Sequence, residues 1–369
     1  MGIQRLADLI RDEAPTAVSY RSVQSYSGCI IALDASISMY QLRTGAPEIR
    51  NRNGENISDI MGFFYRTVHL LENKIKPVYV FDGRPPEMKL QLLDRRAEAA
   101  GNLRKTDKGD INPEKRLSSR YTENCQKILQ LLGVPYIEAK SEAEATCAAL
   151  VKCGKASYAA TEDMDALPFG CSSLLRNLRA EKNGVVKEYS LPEVLKQLNL
   201  THKQFVDVCI LLGCDYCGKI HGLGPKRVLK LMQEHKSIEE IEKHIDQKVH
   251  PLPHNWQYHE ARQLFHNPSV TIINDHELQW TEPDEEGLVK FLSYEKYVKE
   301  GRVRSRLEKL RKALQPAELA TPTGAGIKRQ ARMDDFFPVK KAAATAETEV
   351  EKEASGNSNK KGKRKKRQK

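Results

Sequence analysis

The chain has 369 residues, eight cysteines and a net charge of +11. That length builds one large or two modest cores. No apolar run reaches membrane-spanning length, which argues against an integral membrane protein, and cysteines without a secretory leader argue for a reduced, intracellular chain. The charge is uneven. Lys340 to Lys369 holds eleven Lys/Arg against four Glu, a net +7, so the rest of the chain carries only +4. A near-neutral body with a basic tail suits a polyanionic partner. Gly2 is not followed by the Ser/Thr of a myristoylation signal, because position 6 is Leu6.

Residues 3 to 14 predict a short amphipathic helix marked by Ile3, Leu6, Leu9 and Ile10. Cys29 to Leu33 reads as a buried strand ending on Asp34, and Pro77 to Phe81 as another ending on Asp82. An Asp at a strand tip is a helix cap or a ligand. Two such tips in one α/β sheet place two carboxylates on one rim, where open sheets bind ligands. From Glu87 to Arg120 the chain turns polar and basic. Lys89 and Arg96, two helical turns apart, share a face, either as solvated charges or as a phosphate clamp.

A helix over 121–132 and a strand over 134–137 lead to the acid pair Glu142 and Glu144, in Ser-Glu-Ala-Glu-Ala. An apolar helical stretch and a small-residue strand, Lys155 to Ala160, lead to the second pair, Asp163 and Asp165. Ser141 and Glu144 also fit a capping box, which alone would explain that Glu. Two carboxylates about 4 Å apart repel by roughly 4 kcal/mol at an effective dielectric near 20. Four converging ones call for a counter-charge, and oxygen-only donors favour Mg²⁺ or Mn²⁺ over Zn²⁺.

A helix over 202–212 ends at Gly213, followed by Asp215 within Cys214-x-x-Cys217, whose cysteines have no second pair at zinc spacing and read as core thiols. Gly222, Gly224, Lys226 and Arg227 then open a new helix, a pattern suited to DNA-backbone phosphates. Residues 228–312 read as helical, with Trp256 and Trp280 in the core. After Gln315 the hydrophobic pattern is lost, as in a disordered tail. Within it, Gln330, Met333, Phe336 and Phe337 have the look of a docking peptide, and Lys360 to Lys369 that of a nuclear-import signal or a loose nucleic-acid contact.

Taken in order, Met-Gly-Ile-Gln, Leu-Asp-Ala-Ser, Val-Phe-Asp-Gly, Ser-Glu-Ala-Glu-Ala, Ala-Thr-Glu-Asp-Met-Asp, Leu-Leu-Gly-Cys-Asp-Tyr-Cys and Gly-Leu-Gly-Pro-Lys-Arg resemble the eukaryotic flap endonucleases along nearly the whole chain. The resemblance implies an α/β fold: a central, mostly parallel sheet flanked by helices, with a helical arch, a helix–two-turn–helix element and a disordered C-terminal tail. It divides the chain into an N-terminal nuclease region (1–100), a shortened arch (101–121), an internal nuclease region (122–255, with the helix–two-turn–helix at about 213–235), a C-terminal helical part (256–315) and a tail (316–369). The tail holds a sliding-clamp peptide at 329–337 and a basic run at 360–369.

The implied activity is cleavage of 5′ flaps, with 5′–3′ exonuclease activity, in DNA replication and long-patch base excision repair. Two Mg²⁺ ions, replaceable by Mn²⁺, would be held by Asp34, Asp82, Glu142 and Glu144 and by Asp163, Asp165 and Asp215. Lys89 and Arg96 match arch residues that contact the scissile phosphate. Tyr40, Arg43, Arg66 and Gly213 match DNA-contacting positions, as do Glu142 and Asp215. The 218–227 turn is similar to one that grips duplex with a bound K⁺. Gln330, Met333, Phe336 and Phe337 match the box that docks on proliferating cell nuclear antigen. A monomeric nuclear protein, also found in nucleolus or mitochondrion, is the implied setting.

The chain departs from the family in three places. An apolar turn is missing after Gln41, Arg5 stands where the family has Gly, and the arch between Arg96 and Tyr121 is short. The rival readings are a sister 5′ exonuclease or a catalytically weakened scaffold on the clamp. A Mg²⁺-dependent phosphatase or sugar transferase would leave the Gly-Leu-Gly-Pro-Lys-Arg turn unexplained.

Overall fold

A computed structural model describes residues 2–45, 48–90, 113–178, 184–271 and 278–315, without the side chains of 43–45 and 113–119. All of them fall in one unit, Met1–Pro316. Arg96 and the tail residues Gln330, Met333, Phe336 and Phe337 lie outside the described residues, as does the side chain of Arg43.

The strands are β1 (Val18–Ser22), β2 (Ile30–Asp34), β3 (Lys76–Phe81), β4 (Tyr136–Glu138), β5 (Tyr158–Ala160), β6 (Ser173–Arg176) and β7 (Val185–Ser190). They form one sheet in the order β1-β7-β6-β5-β2-β3-β4. The run β6-β5-β2-β3-β4 is parallel, while β7 and β1 join antiparallel. β2 is the switch point: the chain leaves it for β3 and β4 on one side and returns to β5 on the other. Ligands of open α/β sheets bind at that place, beyond the strands' C-terminal ends.

Side-chain alternation divides the core between the two faces of the sheet. Ala32, Val78, Val80, Ala159 and Leu174 face one cluster, with helices α1 (Leu6–Glu13), α5 (Ala143–Lys152), α6 (Leu191–Leu198), α7 (His202–Leu212), α8 (Pro225–His235), α9 (Ile238–His244) and α10 (Tyr258–His266). Ile31, Leu33, Tyr79, Phe81, Ala160 and Leu175 face the other, with α3 (Ser58–Glu72), α4 (Pro113–Leu131), α11 (Glu285–Val289) and α12 (Glu300–Leu314). The remaining helix, α2 (Ala35–Gly45), begins directly at the tip of β2.

Several elements depart from the sequence expectation. The first helix begins only at Leu6, because Arg5 adopts a left-handed backbone with φ 56°. Glycine takes that conformation without strain, which fits the Gly that the resemblance leads one to expect at this position. The expected strand over 134–137 runs from Tyr136 to Glu138, and that over 155–160 is confined to Tyr158–Ala160. The 121–132 helix begins as early as Pro113. Within 228–312 the stretch 245–257 is not helical, and residues Lys290–Glu295 form a π-helical turn. Trp256 and Trp280 are half-buried against the core, and the Trp280 indole donates to the Pro77 carbonyl at 2.9 Å.

Candidate active site

The strand tips bring the acids together. Asp34 ends β2 and is 2% exposed. Its Oδ1 accepts from the Ile37 amide at 3.0 Å and its Oδ2 from the Thr161 hydroxyl at 3.0 Å. The cap reading and the cluster reading are thus both true of this residue. Asp82 follows β3 and accepts from the Ala143 amide at 2.8 Å, tying the exit of β3 to the start of α5. Gly83 makes that approach feasible: its amide donates to the Ser141 carbonyl at 2.8 Å, and an added Cβ would strike the Ala139 and Lys140 backbone. Glu142, not Ser141, occupies the N-cap of α5, and its own side chain makes no capping hydrogen bond, the first amide of the helix being taken by Asp82. The capping box is therefore not formed, and Glu144 is left to the cluster.

Asp163 caps the short turn after β5, Met164–Ala166, and Asp165 lies within it. The Asp163 amide donates to Thr161 Oγ1 at 3.1 Å, and the Asp165 amide to Asp163 Oδ1 at 3.3 Å. Asp215 reaches the same place from the loop after α7. Glu142, Glu144, Asp163, Asp165 and Asp215 are all buried.

Packing these carboxylates costs charge. Burial, then repulsion from Asp82 and Asp163, pushes Asp34 up to about 7. Glu144 is held well above the carboxylate range by burial and by Asp34, Asp82 and Asp163, and Asp165 by burial and by Asp163 and Asp215. Burial also raises Glu142, against the pull of Lys89. Burial opposes the Lys89 ammonium, but Glu142, Glu144 and Asp215 outweigh it and raise its pKa. Lys89 forms an ion pair with Glu142 at the edge of the cluster. All seven acids therefore feel one another or this one cation. Among the described residues no three His, Cys, Asp or Glu are drawn onto one point, as the ligands of a single ion would be. Their chemistry still fits divalent metal: oxygen-only donors that repel one another, all but the exposed Asp82 buried, are stabilised by a hard dication.

Residues that sequence reasoning missed complete the site. Gly2 lies against Asp163 and Asp165 so closely that an added Cβ would collide with both carboxylates. The Ile3 amide donates to Asp165 Oδ1 at 2.8 Å, and the Gln4 amide to the Gly213 carbonyl at 3.0 Å. Thr161 bridges Asp34 and Asp163. The only sequence signal for these contacts is the Met-Gly-Ile-Gln start, since amide contacts leave no side-chain pattern.

The other candidate positions lie on separate elements. Tyr40 is 58% exposed on α2. Arg66 is half-buried, its guanidinium donating to the Gln41 side chain at 3.0 Å and to the Leu178 carbonyl at 2.8 Å. Gly213 is buried. Gly222, Lys226 and Arg227 are exposed and Gly224 partly so, at the opening of α8. Lys226 pairs with Glu13 at 3.3 Å. An added Cβ at Gly224 would meet nothing within 4 Å. The turn is braced from behind by the 245–257 segment. The Trp256 indole donates to the Gly218 carbonyl at 2.6 Å, and buried His250 shares a hydrogen bond with the His221 carbonyl at 3.0 Å.

A sheet with seven acids gathered at its switch point, a basic side chain at their edge and a glycine-rich helix opening beside them defines a nuclease of the XPG class. Residues 1–102 match the XPG N-terminal domain and residues 133–215 the XPG I-region. The chain is 47% identical to flap endonuclease 1 of Xenopus tropicalis over 357 residues, covering 92% of this chain and 91% of the relative. It is 45% identical to flap endonuclease 1 of Homo sapiens over 365 residues, covering 94% and 93%. It belongs to the flap endonuclease 1 family. Among solved structures, flap endonuclease-1 from Methanococcus jannaschii superposes with a TM-score of 0.64 at 30% identity, over 82% of this chain and 98% of that one. The catalytic core of Rad2 in complex with DNA substrate shares the fold, with a TM-score of 0.68 at 24% identity over 84% and 99%.

Proposed function

We propose that this protein is a structure-specific 5′ flap endonuclease with 5′–3′ exonuclease activity, a metal-dependent hydrolase of DNA phosphodiesters that acts in replication and repair. The observation that carries the reading is the convergence of seven acids from five separate chain segments on one rim, with the Lys89 ammonium at its edge. Asp34, Asp82, Glu142 and Glu144 would hold one divalent cation, and Asp163, Asp165 and Asp215 a second. Mg²⁺ is the expected ion, with Mn²⁺ able to replace it. Bound there, the ions would supply Lewis acidity at the scissile phosphate and neutralise charge as the bond breaks.

The chain's own groups do the rest. Lys89 offers its ammonium to a phosphate oxygen, with Arg96 as its expected partner on the arch. Thr161 and the Ile3 amide hold Asp34 and Asp165 in place, so the donors need little reorganisation. Exposed Tyr40 offers a stacking face to a base near the cut, and Arg43 and Arg66 contact strands nearby. The bare amides opening α8, with Gly222, Gly224, Lys226 and Arg227, would grip duplex backbone without reading sequence, with K⁺ as the ion bound at that turn.

Gln330, Met333, Phe336 and Phe337 would dock on the sliding clamp, proliferating cell nuclear antigen, and the working compartment is the nucleus. Among the described residues no helix is long and apolar enough to cross a membrane.

The test is an end-labelled double-flap DNA beside a nicked duplex, with Mg²⁺ or with EDTA. Mg²⁺-dependent cutting at the flap base is the expected result, and binding without cutting would favour a scaffold. Replacing Phe336 and Phe337 by Ala should abolish stimulation by the clamp and spare clamp-free cleavage. Unchanged clamp affinity, read by calorimetry, would overturn the docking assignment.

A further inference from the structure

The strongest feature left unused by this chemistry is the Cys214–Cys217 pair on either side of Asp215. The two sulfurs lie 3.7 Å apart, and both are free thiols. A disulfide needs a separation of about 2.05 Å, so bonding requires only a modest inward shift of the sulfurs. Cys214 is buried and Cys217 is half-buried, which leaves one sulfur open to a small oxidant and the other shielded beside it.

We propose that Cys214 and Cys217 form an oxidisable pair whose disulfide displaces Asp215 from the acid cluster. The displacement follows from what is fixed around the loop. Gly213, before the pair, is held through its carbonyl by the Gln4 amide at 3.0 Å. Tyr216, inside it, is 3% exposed, with its ring 5.2 Å from Phe265 and 6.4 Å from Phe169. With Gly213 and Tyr216 held, contraction of the loop falls on the Cys214–Asp215 peptide between them and works against the contacts that Asp215 itself makes. The consequence for metal rests on the role proposed above for that residue.

The chemistry balances with a peroxide as oxidant. The Cys217 sulfur attacks one peroxide oxygen, the O–O bond breaks, and water leaves with the thiol proton. Sulfur is oxidised by two electrons to the sulfenic acid and the peroxide is reduced. The Cys214 sulfur then attacks the Cys217 sulfur, the S–O bond breaks, and a second water leaves. The net change is two thiols and one hydrogen peroxide converted to one disulfide and two waters. A thiol reductant reverses the bond.

The test treats the full chain with hydrogen peroxide and reads three signals: mass mapping of the 214–217 peptide, Mn²⁺ binding by electron paramagnetic resonance, and flap cleavage. The expected result is loss of two hydrogens from that peptide, with Cys209 still alkylatable. Mn²⁺ affinity and cleavage should each fall by about tenfold or more, the scale of loss when a support of a metal ligand is disturbed, and return with dithiothreitol. Cys217→Ser should bind and cleave like the reduced parent and resist peroxide. Two alkylatable thiols at 214 and 217 after exposed Cys153 is fully oxidised would overturn the proposal. A disulfide that forms with Mn²⁺ binding unchanged would overturn it too. Absence of cleavage in the reduced protein would strike the nuclease reading instead, with the mass and Mn²⁺ signals still deciding the disulfide.

Discussion

The acid rim and the turn that opens α8 solve opposite problems. The rim concentrates mostly buried side chains of one charge and holds three of them, Asp34, Asp82 and Asp165, with hydrogen bonds from Thr161, Ile37, Ala143 and Ile3. The turn is exposed backbone, and its stiffness comes from Trp256 and His250 on a segment well downstream. On the function proposed above, chemistry is thus written in side-chain identity, and grip in backbone shape maintained from elsewhere. Damage to the first should appear in turnover, and damage to the second in affinity.

The sharpest way to break that contrast is Asp163→Ala. Cleavage under single-turnover conditions should fall by roughly a thousandfold or more, with duplex affinity by anisotropy nearly unchanged, because the ions act mainly on the reacting phosphate. Comparable turnover would remove Asp163 from the metal assignment. Trp256→Phe should do the reverse, since it deletes one hydrogen bond worth about 1 kcal/mol. Duplex affinity should weaken by about fivefold, with the saturated rate retained. A fall in the saturated rate with affinity kept would mean that rim and turn are not separable.

Lys226→Ala should have the smallest effect. Its pairing with Glu13 already occupies part of its charge, so the loss should be uniform across sequences and lower the salt slope of binding by about one. A sequence-dependent loss would contradict backbone gripping.

The same contrast explains what the sequence disclosed. β2 and β3 were legible because each is an apolar run ending in Asp, and the acids because their pairs are tight and unusual. β6 was not, being only four residues long, and β7 mixes buried and exposed residues between its two antiparallel neighbours, β1 and β6. The Gly2 contact, the Thr161 bridge and the brace behind the turn involve amides, one hydroxyl and residues far apart in the chain, none of which leaves a local pattern. Arg5 shows the converse: its departure from Gly was visible in the sequence, but only the φ of 56° gives the physical reason.

The open space at Gly224 has a consequence for reading variation in this protein. Its backbone, φ −83° and ψ 163°, is one that alanine adopts freely. Gly224 is also the N-cap of α8, where Ala is less favourable than Gly, so in Gly224→Ala that cost would offset the smaller entropy of the unfolded chain and leave the free fold's stability nearly unchanged. A phosphate approaching the amides that open α8 would meet the new methyl all the same. Melting-temperature screens would pass such a variant as neutral, and only a measurement made with DNA present would reveal the defect.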